Sequence, residues 1–434
     1  MSFWKLFTKD RQDELPKIQL GRFSESYKQE SQNKAWDQSI ADFEQEQYEK
    51  SILSVLEYMM NEERNNIVIN QSNGNEIKAS LIQGSIKLTL EINKEQFLSY
   101  TTLAHVTDPS VGMLRRLLEQ NYAFQYGRYF IDENGNLGLI FDCKLEESNP
   151  YRIFYGLKEI AIHADQLDDS LIAEFEGLRE LHPELKFPLT DQERNAKKSY
   201  FFSESRRVAA VESLGSLKMD RFPGAYSYLY LSTLYKFDFF LIPEGQIMKK
   251  IQIAQAEYHS EQTNDVGKKV KLLKQVIVDF SNFDESAFEQ ELYQVNSTFA
   301  LTKPNTKENL QKFIQSEIQS MEWYVSNNHL EVCECICSYV GGYILFHFSL
   351  KEYSIDLLTM LYQITDSEFF NTVGIHTKWW KQNDIDKGIF ESEIKEILSH
   401  VQQSELNVNL KQLDWTNRIQ FLRSFLHFIS LYLE

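Results

Sequence analysis

The residues of this 434-residue chain best placed by type and spacing to do chemistry are three cysteines, Cys333-x-Cys335-x-Cys337. On a helix, Cys333 and Cys337 share a face, with His329 one turn earlier, and thiolate and imidazole are zinc ligands. A zinc knuckle instead uses Cys-x2-Cys pairs on turns, and the sequence has no second pair. The run around the cysteines is apolar, and a buried free cysteine behaves as a small hydrophobe, so core packing is the expected role. Asp132-x-Asn134-x-Asn136 has the opening spacing of a calcium loop. Such a loop needs glycine at its sixth position and glutamate at its twelfth, which here are Leu137 and Cys143, so a hairpin turn is expected. His163, Asp165, Asp168 and Asp169 could ligate a metal, but on a helix His163 points away from the face shared by Asp165 and Asp169, and a solvated helix end is expected. No Gly-x-Ser-x-Gly elbow, His-Glu-x-x-His helix or phosphate loop occurs. The sequence therefore assigns no catalytic, metal or cofactor-binding residue, and a non-enzymatic protein is expected.

Two other features have a packing reading and a functional one. Gly341-Gly342 inside a helical run costs stability unless a neighbouring helix needs the space, so close packing or a kink is expected there. The aromatic density of Tyr226, Tyr228, Tyr230, Tyr235, Phe237, Phe239 and Phe240 suits a helix core. It also suits a protein-binding groove, since tyrosine and phenylalanine anchor interfaces.

The elements that must position these residues follow from periodicity. Trp36, Ile40, Phe43, Ile52, Val55, Leu56 and Met59 lie on one helical stripe. Ile67-Val68-Ile69 and Ile77 to Ile82 are strand candidates separated by the turn signal Ser72-Asn73-Gly74-Asn75. Ile86 to Ile92 alternates apolar and polar for seven residues and is joined to the preceding strand by the tight turn Gly84-Ser85. Gln96 to Val106 is expected as a helix, followed by Met113 to Tyr126. Asn134-Gly135 then marks a hairpin between Gly127–Asp132 and Leu137–Phe141, with both central residues at positive φ, and a long helix opens near Pro150. The order is α-β-β-β-α-β-β-α, an antiparallel α+β layer. Residues 179–204 are expected to be a linker. Beyond it the strand signal vanishes, and 205–434 read as an all-α domain. The expected helices include Val208–Met219, Phe288–Phe299 and one capped by Thr306. Residues 1–35 are expected as an irregular arm.

Composition narrows the class. The chain is long enough for two cores. It is 42% hydrophobic and 13% aromatic, with 30 Phe and 22 Tyr against 8 Pro and 17 Gly, which argues against disorder. A net charge of −18 repels phosphate backbones. Nucleic acid is therefore not an expected partner; the densest basic runs are Lys197-Lys198 and the lysines at 268, 269, 271 and 274, and the second run, at helical spacing, is expected on a solvated face. No apolar run reaches the roughly 20 residues a membrane span needs. The amphipathic start, with Phe3, Trp4, Leu6 and Phe7, is expected to dock on the body rather than act as a secretory signal. Four cysteines form no disulfide framework, which points to the cytoplasm.

With that order in place, residues 36–178 resemble the type III secretion chaperone-like superfamily, which includes sensory-transduction-regulator-like bacterial proteins. The resemblance rests on Leu114-x-x-Leu117-Leu118-x-x-Asn121 followed by Gly127-Arg128 and a strand. It also rests on Asp132-Glu133-Asn134-Gly135 leading to Leu137-x-Leu139, and on a closing helix with Tyr151, Tyr155, Leu157, Ala164-Asp165 and Asp168-Asp169. It implies a non-enzymatic fold that binds protein segments or dimerises through its sheet and helices. The expected contact residues are Ile86, Leu88, Leu90 and Ile92 on the alternating strand, Tyr151 and Tyr155 on the closing helix, and Tyr226 and Tyr230 in the aromatic stretch. The partner is another protein or a second copy in a homodimer. The alternative is a small-ligand binder or enzyme with a pocket between the two domains.

Overall fold

The computed structural model describes residues 18–21, 27–61, 65–71, 76–181, 185–262, 265–295, 303, 305–381, 384–399 and 408–433. The amphipathic start and the turn at 72–75 lie outside them.

The front of the chain is an α+β layer and the rest is helical, as the periodicity predicts. The order nevertheless gains a helix and two strands. Helix α1 (Glu30–Glu44) begins before Trp36. Glu46, at φ 61°, breaks the expected single helix, so that α2 (Tyr48–Met59) folds back as a hairpin. Strands β1 (Ile67–Gln71), β2 (Ile77–Gln83), β3 (Ile86–Ile92) and β4 (Gln96–Val106) follow. The register Gln83↔Ile86 closes the Gly84-Ser85 turn, with Gly84 at φ 53°.

β4 replaces the helix expected at Gln96–Val106. Its inward positions include Ser99 and Thr101 beside Phe97 and Leu103. Small polar residues on the buried face hide the alternation that marks a strand, while Thr101 satisfies its hydroxyl on the Lys87 carbonyl at 3.0 Å.

Next come α3 (Val111–Asn121), β5 (Arg128–Ile131), β6 (Asn136–Lys144), α4 (Pro150–Glu174) and the short β7 (Leu178–Glu180). Among the described residues the strands form one seven-stranded antiparallel sheet of order β1-β2-β3-β4-β6-β5, with β7 on the end of β4. Helices α2, α3 and α4 cover one face, burying Ile52, Leu56, Met113, Leu117, Leu157 and Ile160 against Leu88, Leu90, Phe97 and Leu139.

The β5–β6 hairpin turns differently from expectation. Only Gly135 takes a positive φ (79°), and the Asp132 carboxylate accepts from the Asn134 and Asn136 amides at 2.9 and 2.7 Å. This is a three-residue loop ending in a left-handed residue. It uses the acidic side chain for backbone capping, and the calcium reading is thereby answered.

The segment expected as a linker, 179–204, contains regular structure. Its charged part forms helix α5 (Asp191–Ala209), capped by Thr190 and burying Phe201, Phe202 and Val208 in the helical core. The helix expected at 208–219 ends at Ala209, and Leu214 and Leu217 pair instead across a tight turn. Then follow α6 (Pro223–Lys236), a π-helical turn (Phe237–Leu241), α7 (Gly245–His259) and α8 (Val266–Ser281). The helix expected at 288–299 shrinks to α9 (Glu285–Gln290), and 296–302 lie outside the described residues. Helix α10 (Lys307–Ser326) starts at Thr306, whose hydroxyl accepts from the Asn309 amide at 3.3 Å. Helices α11 (Leu330–His347), α12 (Glu352–Thr365), α13 (Ser367–Thr372), α14 (Lys387–Ser399) and α15 (Arg418–Tyr432) complete the half, with a two-strand ribbon, β8 (Trp380–Lys381) and β9 (Asp384–Ile385).

Gly341-Gly342 marks a close approach. A Cβ on Gly342 would collide with Tyr235 of α6 and the Tyr362 hydroxyl of α12. Among the described residues no helix is long and apolar enough to cross a membrane.

Candidate protein-interaction site

Helix α3 is apolar on two sides. Pro109 precedes it, and Ser110 caps it by accepting from the Met113 amide at 3.1 Å. Met113 and Leu117 point into the core under the sheet. Val111, Leu114 and Leu118, with Tyr122 at the C-cap, recur at intervals of three and four on the opposite side. They are exposed by 84%, 38%, 69% and 96%. A helix facing solvent normally carries charge on that side. Here the charge is confined to one flank, where Arg115 and Glu119 pair at 3.0 Å. An exposed pair of this kind adds little to stability.

Two side chains fasten the end of this helix to the sheet edge. Asn121 Oδ1 accepts from the Tyr129 amide at 2.8 Å, and the Tyr129 hydroxyl donates to Gln120 at 2.7 Å. Among the described residues β5 pairs with β6 alone; Asn121 takes the Tyr129 amide on its other edge, and Ile131 there is exposed. Burial pushes the Tyr129 phenol well above its ordinary value. The loop from Tyr122 to Gly127 is fixed by Glu159 of α4, whose carboxylate accepts from the amides of Gln125, Tyr126 and Gly127 at 2.8, 2.7 and 2.8 Å. Beside it lies an open hollow of about 420 Å³ lined by Tyr126, Tyr155, Lys158, Glu159, Ile162 and His163, among others. His163 is held below the usual imidazole range by burial and stands edge-on to Phe124 at 4.8 Å.

The residues expected to meet a partner are not brought together. Ile86, Leu88, Leu90 and Ile92 are core residues, since β3 runs inside the sheet and turns its apolar side under the helices. Its outer face carries Lys87, Thr89 and Glu91 instead. Tyr226 and Tyr230 are buried within the helical half. The Tyr226 hydroxyl donates to the Leu217 carbonyl at 2.9 Å, so the aromatic stretch there is core. Tyr151 and Tyr155 on α4 are exposed, and Tyr151 also packs edge-on to Trp36 at 5.0 Å.

The metal candidates disperse too. Asp165 accepts from the Ser85 amide and Gln83 Nε2, both at 2.9 Å, while Asp169 takes the Lys186 ammonium and the Tyr293 hydroxyl. The side chain of Asp168 lies outside the described residues. Cys333 is buried, with its sulfur 3.7 Å from the His329 carbonyl, and Cys335 faces another side of α11. Burial pushes the Cys333 and Cys335 thiols up to about 11. Among the described residues no three His, Cys, Asp or Glu side chains are grouped to hold a metal ion.

The second apolar side of α3 is the feature the sequence reading missed, although its signal was present. The run from Val111 to Tyr122 has more apolar positions than a single buried stripe needs. No family model matches the chain. A search of curated proteins also returns no match.

Proposed function

We propose that this is a non-enzymatic interaction protein of the cytoplasm, whose front layer takes a second protein, or a second copy of itself, on the outer side of α3 and the adjoining edge of β5. The observation that carries this reading is the exposed stripe Val111, Leu114, Leu118 and Tyr122. The resemblance of residues 36–178 to type III secretion chaperone-like proteins supports it, because it implies binding of protein segments or dimerisation. A net charge of −18 favours protein over nucleic acid as partner, and the free cysteines suit a reducing compartment. Fully burying four such side chains is worth up to roughly 6–12 kcal/mol. Association itself costs about 4–15 kcal/mol. The stripe alone therefore reaches micromolar binding at most, and a stable complex needs further contacts such as strand addition at β5.

The test has two arms. Light scattering of the purified chain at micromolar concentration reads self-association, and affinity capture from the native host reads a heterologous partner. The proposal expects a dimer mass or a captured protein, lost in each case with Leu118→Glu plus Tyr122→Glu. A strict monomer that captures nothing, or capture indifferent to those substitutions, would overturn it.

A further inference from the structure

Away from the α3 face, the helical half holds a short piece of chain from ahead of the sheet layer. Residues 18–21 lie in a recess between α5 and the π-helical turn that follows α6. Leu20 is buried in the helical core, and Ile18 packs on the same core half-buried. The recess is a product of the broken helix. The turn Phe237–Leu241 ends at Ile242, which takes φ 51°, a strained value for a β-branched residue. Pro243 follows and has no amide hydrogen. A helix end leaves its last carbonyls to donors from elsewhere. Here the Phe239 carbonyl accepts from the Gly21 amide at 2.7 Å, and the Leu241 carbonyl accepts from the Lys197 ammonium at 3.3 Å. Lys197 is itself buried, holds the Glu193 carboxylate at 2.9 Å, and reaches the Gln19 carbonyl at 3.5 Å.

We propose that this recess is a peptide-binding groove for an extended segment in which leucine is followed by glycine, and that residues 18–21 are its resident intramolecular ligand. Three features read the segment. The Gln19 carbonyl and the Gly21 amide, two positions apart, are both engaged, so the main chain is held in one register. Leu20 between them enters the core, which asks for an aliphatic side chain at that position. Gly21 holds φ 67°, and a Cβ there would stand 2.7 Å from the Phe239 ring, so the next position takes glycine.

The groove lies in the helical half and does not rest on the α3 reading. Its one ammonium is matched by the Glu193 carboxylate, so it offers a neutral main chain a donor and an acceptor without a net charge. The Phe239 ring that excludes a side chain at the glycine position is held from behind by the Tyr362 ring at 5.3 Å. Because residues 18–21 belong to the same chain, they compete for the groove at an effective concentration on the order of millimolar. A segment of another protein enters only by displacing them.

A fluorescent peptide with the sequence of residues 16–23, read by anisotropy, tests the groove. The full chain carrying Leu20→Ser with Gly21→Val, whose own segment no longer seats, is expected to bind the peptide saturably, and the wild type at least tenfold more weakly. A peptide that itself carries Gly21→Val is expected to bind neither. In the wild type, excess peptide is expected to speed hydrogen exchange of residues 18–21, a readout that needs no variant. Binding to neither chain, equal binding to both, binding indifferent to the glycine of the peptide, or exchange unchanged by excess peptide would each overturn the proposal. So would a variant that takes up no peptide yet forms a mixed dimer with the wild type by light scattering, which would give the recess to an exchanged segment of a second copy.

Discussion

At the scale of single residues, the least expected finding is Lys197. The sequence places it in the charged run of the expected linker, yet its ammonium is buried at 1% exposure, 2.9 Å from the equally buried Glu193. It also donates to the Leu241 carbonyl at 3.3 Å, at the end of the π-helical turn. Burial pulls the lysine below its usual range while Glu193 works against that. Removing one partner of such a pair leaves a buried charge uncompensated, at a cost of about 3–5 kcal/mol. Lys197→Met is therefore expected to lower unfolding free energy in urea by that amount, and Glu193→Leu with Lys197→Met to recover most of it. Equal losses in the single and double variants would contradict the pairing. The Glu193–Lys197 spacing of four was legible on a helix. The burial was not, because the apolar wall around it comes from Phe201, Phe202 and other core residues remote in sequence.

At the scale of elements, legibility followed how local the cause was. The Gly84-Ser85 turn and the alternation of β3 depend on neighbours in sequence, and both read correctly. β4 did not, because its buried side uses Ser99 and Thr101 where hydrophobic residues would have declared a strand. The contact residues proposed on β3 failed for a related reason. Alternation shows that one face is buried but not which covering helices claim it. The aromatic run of α6 was ambiguous between core and groove, and the packing of α11 decides it. Gly342 sits where any larger residue strikes Tyr235 and Tyr362. Overpacking of this kind costs typically 1–3 kcal/mol. Gly342→Val should lower the thermal midpoint accordingly, and calorimetry showing no change would mean that the helices separate there without penalty.

At the scale of the whole molecule the described residues form two hydrophobic cores, one under the sheet and one among the helices. Polar contacts join the halves, including Tyr293 to Asp169 at 2.7 Å and Gln166 to Gln252 at 3.3 Å. The segment 18–21 crosses the division. Although α1 belongs to the sheet layer, Leu20 packs in the helical core and the Gly21 amide donates to the Phe239 carbonyl at 2.7 Å. Gly21 holds φ 67° with its α-carbon against the Phe239 ring, leaving no room for a side chain. A residue other than glycine in that region costs of order 1–3 kcal/mol. Gly21→Val is expected to depress the unfolding of the helical half while leaving that of the sheet layer in place, as resolved by calorimetry or hydrogen exchange. Equal depression of both would mean that the cores unfold as one unit.

The α3 stripe is where the sequence, fold and proposed function meet, because its side chains are large, apolar and exposed and none is among the buried residues of either core. The most direct measurement pairs binding with stability on one sample of the Leu118→Glu, Tyr122→Glu variant. The account predicts a thermal midpoint within about 2 °C of wild type, since surface substitutions typically change stability by no more than ~0.5 kcal/mol, together with loss of the dimer mass or the captured partner. A midpoint lowered by many degrees, or association that persists unchanged, would contradict it.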